Sequence, residues 1–305
     1  MALAGCGTAA PLAGFPPYRP FGALTGPQWA AIADTMPARL DLTSPNVCGR
    51  GAPSCMDAVV AEMTRRLAPL AASCSHLARF ALMYRQVSIE VDRSVHLHRY
   101  QEPAYVAHLD SVFSTLYYRA IDEWRSGDRN AVPKAWQIAF AAADEHRVSA
   151  LGDMLLGMNA HVSRDLAYAI AGVGLRHADG SDATADVVAV NGDIARAQDP
   201  SLAGVSRLFD PTVNTITRAG STLVNPQEIG AIIAQWRLES IRNARKLIAA
   251  KAKSRAALEQ VETTIDNNAS VRALVILAAT SYQHPSESLA RDRYCQRTVK
   301  TLPPA

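Results

Sequence analysis

Apolar residues recur at helical spacing along most of the chain, and the longest such run lies at Leu151–Leu175. This run is apolar on almost every side, which is typical of a helix buried at the centre of a fold. Amphipathic segments precede and follow it, and no segment alternates strongly enough to predict a sheet. We therefore predict an all-α protein, a single multi-helix, bundle-like domain around a buried central helix.

The same periodicity predicts further helices on both sides of the central one. Helix starts are indicated by proline in a first turn and by an Asn cap that is followed three residues later by Glu. The predicted segments are Met56–Leu67, a helix starting near Ser73, one after Pro103, one opened by Pro133, one started by Asn225-Pro226 and a last helix over about Val271–Tyr282, followed by a polar tail.

Two segments depart from the helical pattern. Residues 1–55 are rich in Pro, Gly and small residues, which indicates an N-terminal arm with one short helix from Pro27 to Met36. Residues 56–305 then form the helical domain. Within it, residues 176–224 hold many Asp, Gly, Ser and Thr and only one short helical candidate, Val190–Ala197. We expect this stretch to be an irregular lid over a pocket, since long structureless segments in compact domains are commonly functional.

At its middle, the central apolar run carries a polar cluster formed by Asn159, His161, Arg164 and Asp165. Buried ionisable groups are rare unless they are paired, hydrogen-bonded or bound to a metal. His161 and Asp165 are four residues apart and project from one side of a helix. That geometry suits two ligands of one metal ion, or a histidine that a carboxylate holds in one orientation. A purely structural His–Asp hydrogen bond explains the spacing equally well.

The segment after Pro103 places another carboxylate in an apolar stripe. At about 100° of rotation per residue, Asp110 faces inward with the apolar side chains, whereas His108 lies about 160° away. A regular helix therefore favours Asp110 as a site residue and directs His108 to the other side. Both could reach one pocket only if the helix were irregular there. We expect Asp110 to meet His161, Arg164 or a shared ion.

These patterns define the candidate site, which we expect between the helix after Pro103 and the central helix. The candidate catalytic residues are His161, Asp165, Asp110, Arg164, Asn159 and His108. If a divalent metal is bound, zinc is the first choice, with His161 and Asp165 as ligands and His108, His76 or Asp110 as additional candidates. No nucleotide cofactor is expected, because the sequence has neither a P-loop nor a Gly-x-Gly-x-x-Gly after a strand.

Composition narrows the class of protein. The chain has 305 residues, 49% of them hydrophobic, and a net charge of only +3, which makes nucleic acid an unexpected partner. The most apolar helix carries charged residues, so no membrane span is expected. The five cysteines are odd in number and lack metal-site spacing, which favours a reducing cytoplasm over a disulfide scaffold. The start of the chain lacks the basic and apolar regions of a secretion signal.

Several segments together resemble an actinobacterial family catalogued as domain of unknown function 5995, over roughly residues 56–265. The resemblance rests on SCSHLARFALMY, AHLDSVFSTLYYRAIDEW, VPKAWQIAF and LLGMNAHVSRDL, and more loosely on VNGD, FDPT and WRLESIRNA. It implies an all-helical protein and no particular reaction. The positions that it marks for testing are His76, His108, Asp110, Asn159, His161, Arg164, Asp165, Asn191, Asp210 and Arg237.

Three functions follow as hypotheses. The first is an enzyme acting on a small, largely apolar metabolite, such as one of bacterial specialised metabolism. It would be a lyase, cyclase or isomerase with His161 as acid or base, or a metal-assisted hydrolase. The second is a small-molecule binding or carrier protein that uses the same polar cluster. The third is a helical protein whose His–Asp cluster is only structural. Fold alone does not separate these functions.

Overall fold

The structure is a computed structural model that describes residues 39–213 and 226–298. Within these ranges the chain is helical throughout and contains no β-strand, only two isolated bridges. The predicted all-α fold is confirmed. No helix in the described ranges combines the length and apolar character that crossing a bilayer requires.

The helices follow one another with short connections. In chain order they are α1 Ser54–Ala72, α2 Leu77–His96, α3 Pro103–Ser126, α4 Lys134–Asp144, α5 Ala150–Met158, a π-helical segment Asn159–Asp165, α6 Leu166–Val173, α7 Thr184–Leu208, α8 Pro226–Lys253, α9 Arg255–Thr280 and α10 Pro285–Thr298.

The central helix consists of α5, the π-helical segment and α6, which continue one another. It begins at Ser149, whose side-chain oxygen accepts a hydrogen bond from the Gly152 backbone N–H at 3.2 Å, as an N-cap does. It ends before Gly174, whose φ of 93° favours glycine. Most of its side chains are buried, packed among α2, α3, α4, α8 and α9. The predicted central buried helix is confirmed.

The π-helical segment lies in the middle of this helix. Its wider turn is closed by the Leu166 N–H, which donates to the carbonyl of His161 five residues earlier. Segments of this kind occur frequently at functional sites in proteins. Here the segment contains Asn159, His161, Arg164 and Asp165.

Two predictions about the second half of the chain are wrong. The segment predicted as an irregular lid contains α7, a helix of 25 residues that packs against α2; residues 214–225 lie outside the described ranges. Many of its polar residues face solvent, while Val187, Ala197 and Val205 face the core together with the buried Asp186 and Asp193. The predicted polar tail contains α10, which buries little except Ser288 and Cys295 and therefore leaves almost no apolar signal.

The N-terminal arm is described only from residue 39, so the predicted short helix lies outside the described residues. Residues 39–53 form turns without a regular element, and a disulfide between Cys48 and Cys55 attaches them to α1. A second disulfide joins Cys74 to Cys295 across 221 residues. The expectation of a reducing environment with unpaired cysteines is wrong for these four. The Cys74–Cys295 pair left no trace in local spacing because its two residues lie 221 positions apart.

Candidate functional site

His161 is the centre of the candidate site and is buried among aromatic rings. Its imidazole stacks on Phe113, with the ring centroids 3.5 Å apart and the planes within 6°. The edge of Tyr84 approaches it at 4.5 Å between centroids. Burial lowers the pKa of His161, and its bond to Asp165 offsets this only in part. The imidazole is therefore neutral near pH 7.

Asp165 fixes the orientation of this ring. Its Oδ2 lies 3.1 Å from His161 Nδ1 and accepts the indole N–H of Trp136 at 2.8 Å, while its Oδ1 accepts from Arg164 at 2.8 Å. Burial alone would raise the pKa of Asp165, but the His161 hydrogen bond and the charge of Arg164 lower it. An ionised Asp165 makes Nδ1 of the neutral imidazole the donor. The lone pair of the ring then lies on Nε2.

A small cavity of about 40 Å³ brings His161 together with Asp110 and Arg237. Within the described ranges, His161 Nε2, Asp110 Oδ2 and Arg237 Nε are buried and have no hydrogen-bond partner. The rest of the wall is apolar or aromatic, including Phe113 and Val106. Buried polar atoms without partners are rare in folded proteins. Three of them around one cavity indicate a site for a polar group that comes from outside the chain.

The charges in this cavity are unusual. Burial raises the pKa of Asp110 to about 7, although the charge of Arg237 opposes the shift. Burial also lowers the pKa of Arg237 to about 10, so this guanidinium still carries its charge at neutral pH. Arg237 donates to the Val187 carbonyl at 2.6 Å and, in the part of the chain that the structure describes, forms no ion pair within 4.0 Å.

A larger cavity of about 140 Å³ adjoins the first one. The two cavities share Met83, Val87, Met158 and Ile194, so these side chains form the boundary between them. The walls of the larger cavity come from α2, α5, α7 and α8 and are almost entirely apolar. One of its few polar lining residues is Asn191, whose side-chain oxygen Oδ1 is buried and has no hydrogen-bond partner among the described residues. The larger cavity is thus an apolar chamber, and the smaller cavity beside it carries the polar groups.

The structure places the other predicted site residues away from both cavities. His108 faces the opposite side of α3, as a regular helix requires, and its Nδ1 lies 2.8 Å from the Cys48 carbonyl. Asn159 donates to the carbonyl of Ala269 on α9 at 2.8 Å. Arg164 bonds Asp165 and also Asp266 at 2.7 Å. Their contacts hold the helices around the site together. The expectation that Asn159 and Arg164 line the pocket is therefore wrong, whereas His108 faces away from it, as the regular helix predicted.

The arrangement also bears on the predicted metal ligands. Both carboxylate oxygens of Asp165 already accept hydrogen bonds, and Oδ2 receives two of them. His161 and Asp165 contact each other directly, which leaves no position for an ion between them. The donor set therefore does not fit a metal held by this pair. Asp110 lines the same cavity as His161, whose Nε2 is buried without a partner among the described residues.

His76 belongs to a different cluster, with His146 and Asp292. Asp292 lies 3.0 Å from His76 Nε2 and 2.9 Å from His146 Nδ1, and the two imidazoles are stacked with centroids 3.9 Å apart. Ring nitrogens bind metals in the plane of the ring, and two nearly parallel planes do not converge on one ion. The guanidinium of Arg79, 2.9 Å from His76 Nε2, adds a positive charge there. This cluster is therefore better explained as a carboxylate, Asp292, that joins two histidines from different segments than as a metal centre.

The most informative residue that the candidate list omits is Arg237. Ile229 and Ile233 line the larger cavity, and Arg237 follows at the same four-residue spacing on the same face of α8. An arginine in the apolar stripe of a helix therefore indicates a buried positive charge, and the sequence alone contains this pattern. The family resemblance marks Arg237, and the periodicity of α8 independently places it on the same face as these isoleucines.

Comparisons with known proteins assign no activity to this chain. No curated protein and no solved structure matches the chain. One family model, described as a family of unknown function, matches residues 56–279, which include every residue of both cavities. The chain therefore belongs to the family of unknown function DUF5995.

Proposed function

We propose that this protein is an enzyme that performs acid–base chemistry on a small, largely apolar metabolite. One observation carries the proposal: His161, Asp110 and Arg237, each with a buried unpartnered atom, line one cavity that adjoins an apolar chamber. Convergent ionisable groups with shifted pKa values in a buried pocket are typical of active sites.

Each of these side chains can take a specific role. Neutral His161 accepts a proton from the ligand at Nε2, and the electron pair of the broken bond stays on the ligand. The charge that forms on the imidazole is stabilised by Asp165, which also keeps Nδ1 protonated. Asp110, with a pKa of about 7, is protonated in part at neutral pH and can return a proton. Arg237 stabilises negative charge that develops on the ligand. This chemistry fits an isomerase, lyase or cyclase.

A carrier function is the second candidate, and the apolar chamber supports it. A cavity of about 140 Å³ with methionine walls can hold a ligand without transforming it. The two functions differ in whether the protein removes a proton from its ligand. An enzyme needs the basic nitrogen of His161 for this step, whereas a carrier does not.

Proton abstraction can be tested before the reaction is known. The protein is incubated in D₂O with a panel of small apolar acids, ketones and alcohols, and deuterium uptake into each compound is followed by mass spectrometry. We expect uptake into at least one compound, with a rate that His161→Gln lowers by ~10²-fold or more, the scale of a lost general base.

The matched control is His108→Gln, because His108 is equally buried but faces away from the cavity. It should leave the exchange rate unchanged. If His161→Gln exchanges deuterium as fast as the unaltered protein, the catalytic role of His161 is refuted. If the panel binds but no compound exchanges, the carrier function is favoured.

We also propose that the protein works in an oxidising compartment. The expected cytoplasmic location rested on unpaired cysteines, whereas the structure pairs four of them. Stable disulfides are rare in reducing compartments. Mass spectrometry of the protein from its natural source, after thiol alkylation without reduction, would test this proposal by showing whether these four cysteines resist alkylation.

A further inference from the structure

We infer that the ligand of this site is a small carboxylic acid, whose carboxylate pairs with Arg237 and whose apolar tail occupies the chamber beyond Met83 and Met158. The inference rests on the proposed function and names its class of substrate. It follows from the charge of the inner cavity, from the donors available there and from the size of the chamber.

The first step is the charge balance of the inner cavity. His161 is neutral, and Asp165 is compensated by Arg164. Arg237 remains as a buried positive charge with no ion pair among the described residues, and only 5% of its surface is exposed. Burying an unpaired charge is costly, so such groups normally have a counter-charge. Asp110 is a weak counter-charge, because its pKa of about 7 leaves it largely uncharged below neutral pH.

The second step is the chemistry of the missing partner. A cation would be repelled by Arg237, and a purely apolar group would leave all three orphaned atoms without partners. A carboxylate can accept from Arg237 Nε with one oxygen and from protonated Asp110 with the other, because charge-assisted hydrogen bonds of this kind are the natural complement of guanidinium. His161 Nε2 then faces the atoms next to the carboxylate, which is where a general base must act.

The third step is the size of the tail. The chamber of about 140 Å³ is close to the ~150 Å³ apolar cavity that binds benzene in another protein. Met83, Met154 and Met158 contribute flexible thioether side chains to its walls. A tail of one aromatic ring or a short branched chain therefore fits, whereas a long acyl chain does not.

The test compares three probes of one shape and different charge: 3-phenylpropanoate, 3-phenylpropan-1-ol and 3-phenylpropylamine. Binding is measured by isothermal titration calorimetry at pH 6.5, together with the C4 to C8 straight-chain acids. We expect the phenyl acid, or at least one acid of the series, to bind about 10-fold or more tightly than its alcohol. The amine should not bind.

Variants assign the effect to Arg237. Arg237→Gln should weaken acid binding by about 10- to 100-fold and leave binding of the alcohol unchanged. Arg237→Lys, which keeps the charge, should retain part of the affinity and guards against a simple folding failure. The control is Arg272→Gln: Arg272 is a partly buried arginine that bonds Glu239 and Ser163, and it lines neither cavity.

The outcomes separate this inference from the proposed function. Equal affinity for acid and alcohol, no acid bound across the series, or unchanged acid binding in Arg237→Gln would each overturn the carboxylate assignment, whatever the result of deuterium exchange. If acids bind as expected and His161→Gln exchanges deuterium normally, the ligand class stands and the catalytic role of His161 fails.

Discussion

Replacing Asp165 with Asn tests whether a buried carboxylate holds the candidate base. The substitution preserves shape but removes the charge and turns one acceptor into a donor. The amide oxygen will take the position of Oδ2, because there it satisfies both His161 Nδ1 and the indole N–H of Trp136. The amide nitrogen then faces Arg164, which loses its bond to the residue at position 165.

The magnitude follows from these contacts. Removing one partner of a buried ion pair costs roughly 3–5 kcal/mol when the other partner is left alone. Arg164 is not left alone, since its side chain is 17% exposed and keeps Asp266 at 2.7 Å. Two hydrogen bonds to Asp165 survive without their charge assistance. We therefore expect a loss of about 2–3 kcal/mol in the free energy of unfolding.

Urea unfolding at pH 7 measures this loss, with an unchanged dependence on urea concentration as the sign that the native state is intact. Asp266→Asn is the matched control, because it removes the half-exposed partner of the same arginine and should cost under about 1 kcal/mol. Equal costs for Asp165→Asn and Asp266→Asn would refute the reasoning, since the buried carboxylate would then contribute no more than an exposed one.

Two further predictions concern pH and the second disulfide. Affinity for the phenyl acid should fall as pH rises through about 7, because Asp110 then loses its proton. The ionised Asp110 competes with the ligand for Arg237 and repels its carboxylate, and the negative charges of Asp92 and Asp193 also act on this site. Asp110→Asn should flatten this dependence in calorimetric titrations between pH 6 and 8, and an unchanged slope would contradict it. Cys295→Ser should lower unfolding stability by about 2–5 kcal/mol, because it opens a disulfide loop that spans 221 residues. Reductant should lower the stability of the unaltered protein by at least as much, because it can also open the Cys48–Cys55 disulfide, and no difference between oxidised and reduced protein would refute a structural role.

The sequence predicted those parts of the molecule that depend on local periodicity. The central helix, the direction of Asp110 towards the cavity and the direction of His108 to the opposite side of α3 all follow from about 100° per residue, and the structure has each of them. The pairing of His161 with Asp165 also follows from helical spacing. None of these needed knowledge of how the helices pack.

The missed features depend on contacts between distant segments. Cys74 and Cys295 pair across most of the chain, and α10 is held by that bond and few buried side chains. The sequence did not predict the full length of α7, because apolar residues are few along it and Pro200, which usually ends a helix, lies within it. Asn159 and Arg164 lie on the same helix as His161, but the packing of α9 against that helix decides that they face away from the cavity.

The π-helical segment has a consequence for how this family can vary. Such a segment contains one residue more than an α-helix of the same span. Losing a single residue between Met158 and Leu166 would therefore restore α geometry while α5 and α6 keep their places, and the side chains inside the segment, including His161, would change direction. The site therefore tolerates exchanges of side chains far better than changes of length. Alignments of relatives that share this cavity should run through these positions without insertions or deletions, and a gap there marks a relative that has lost the site.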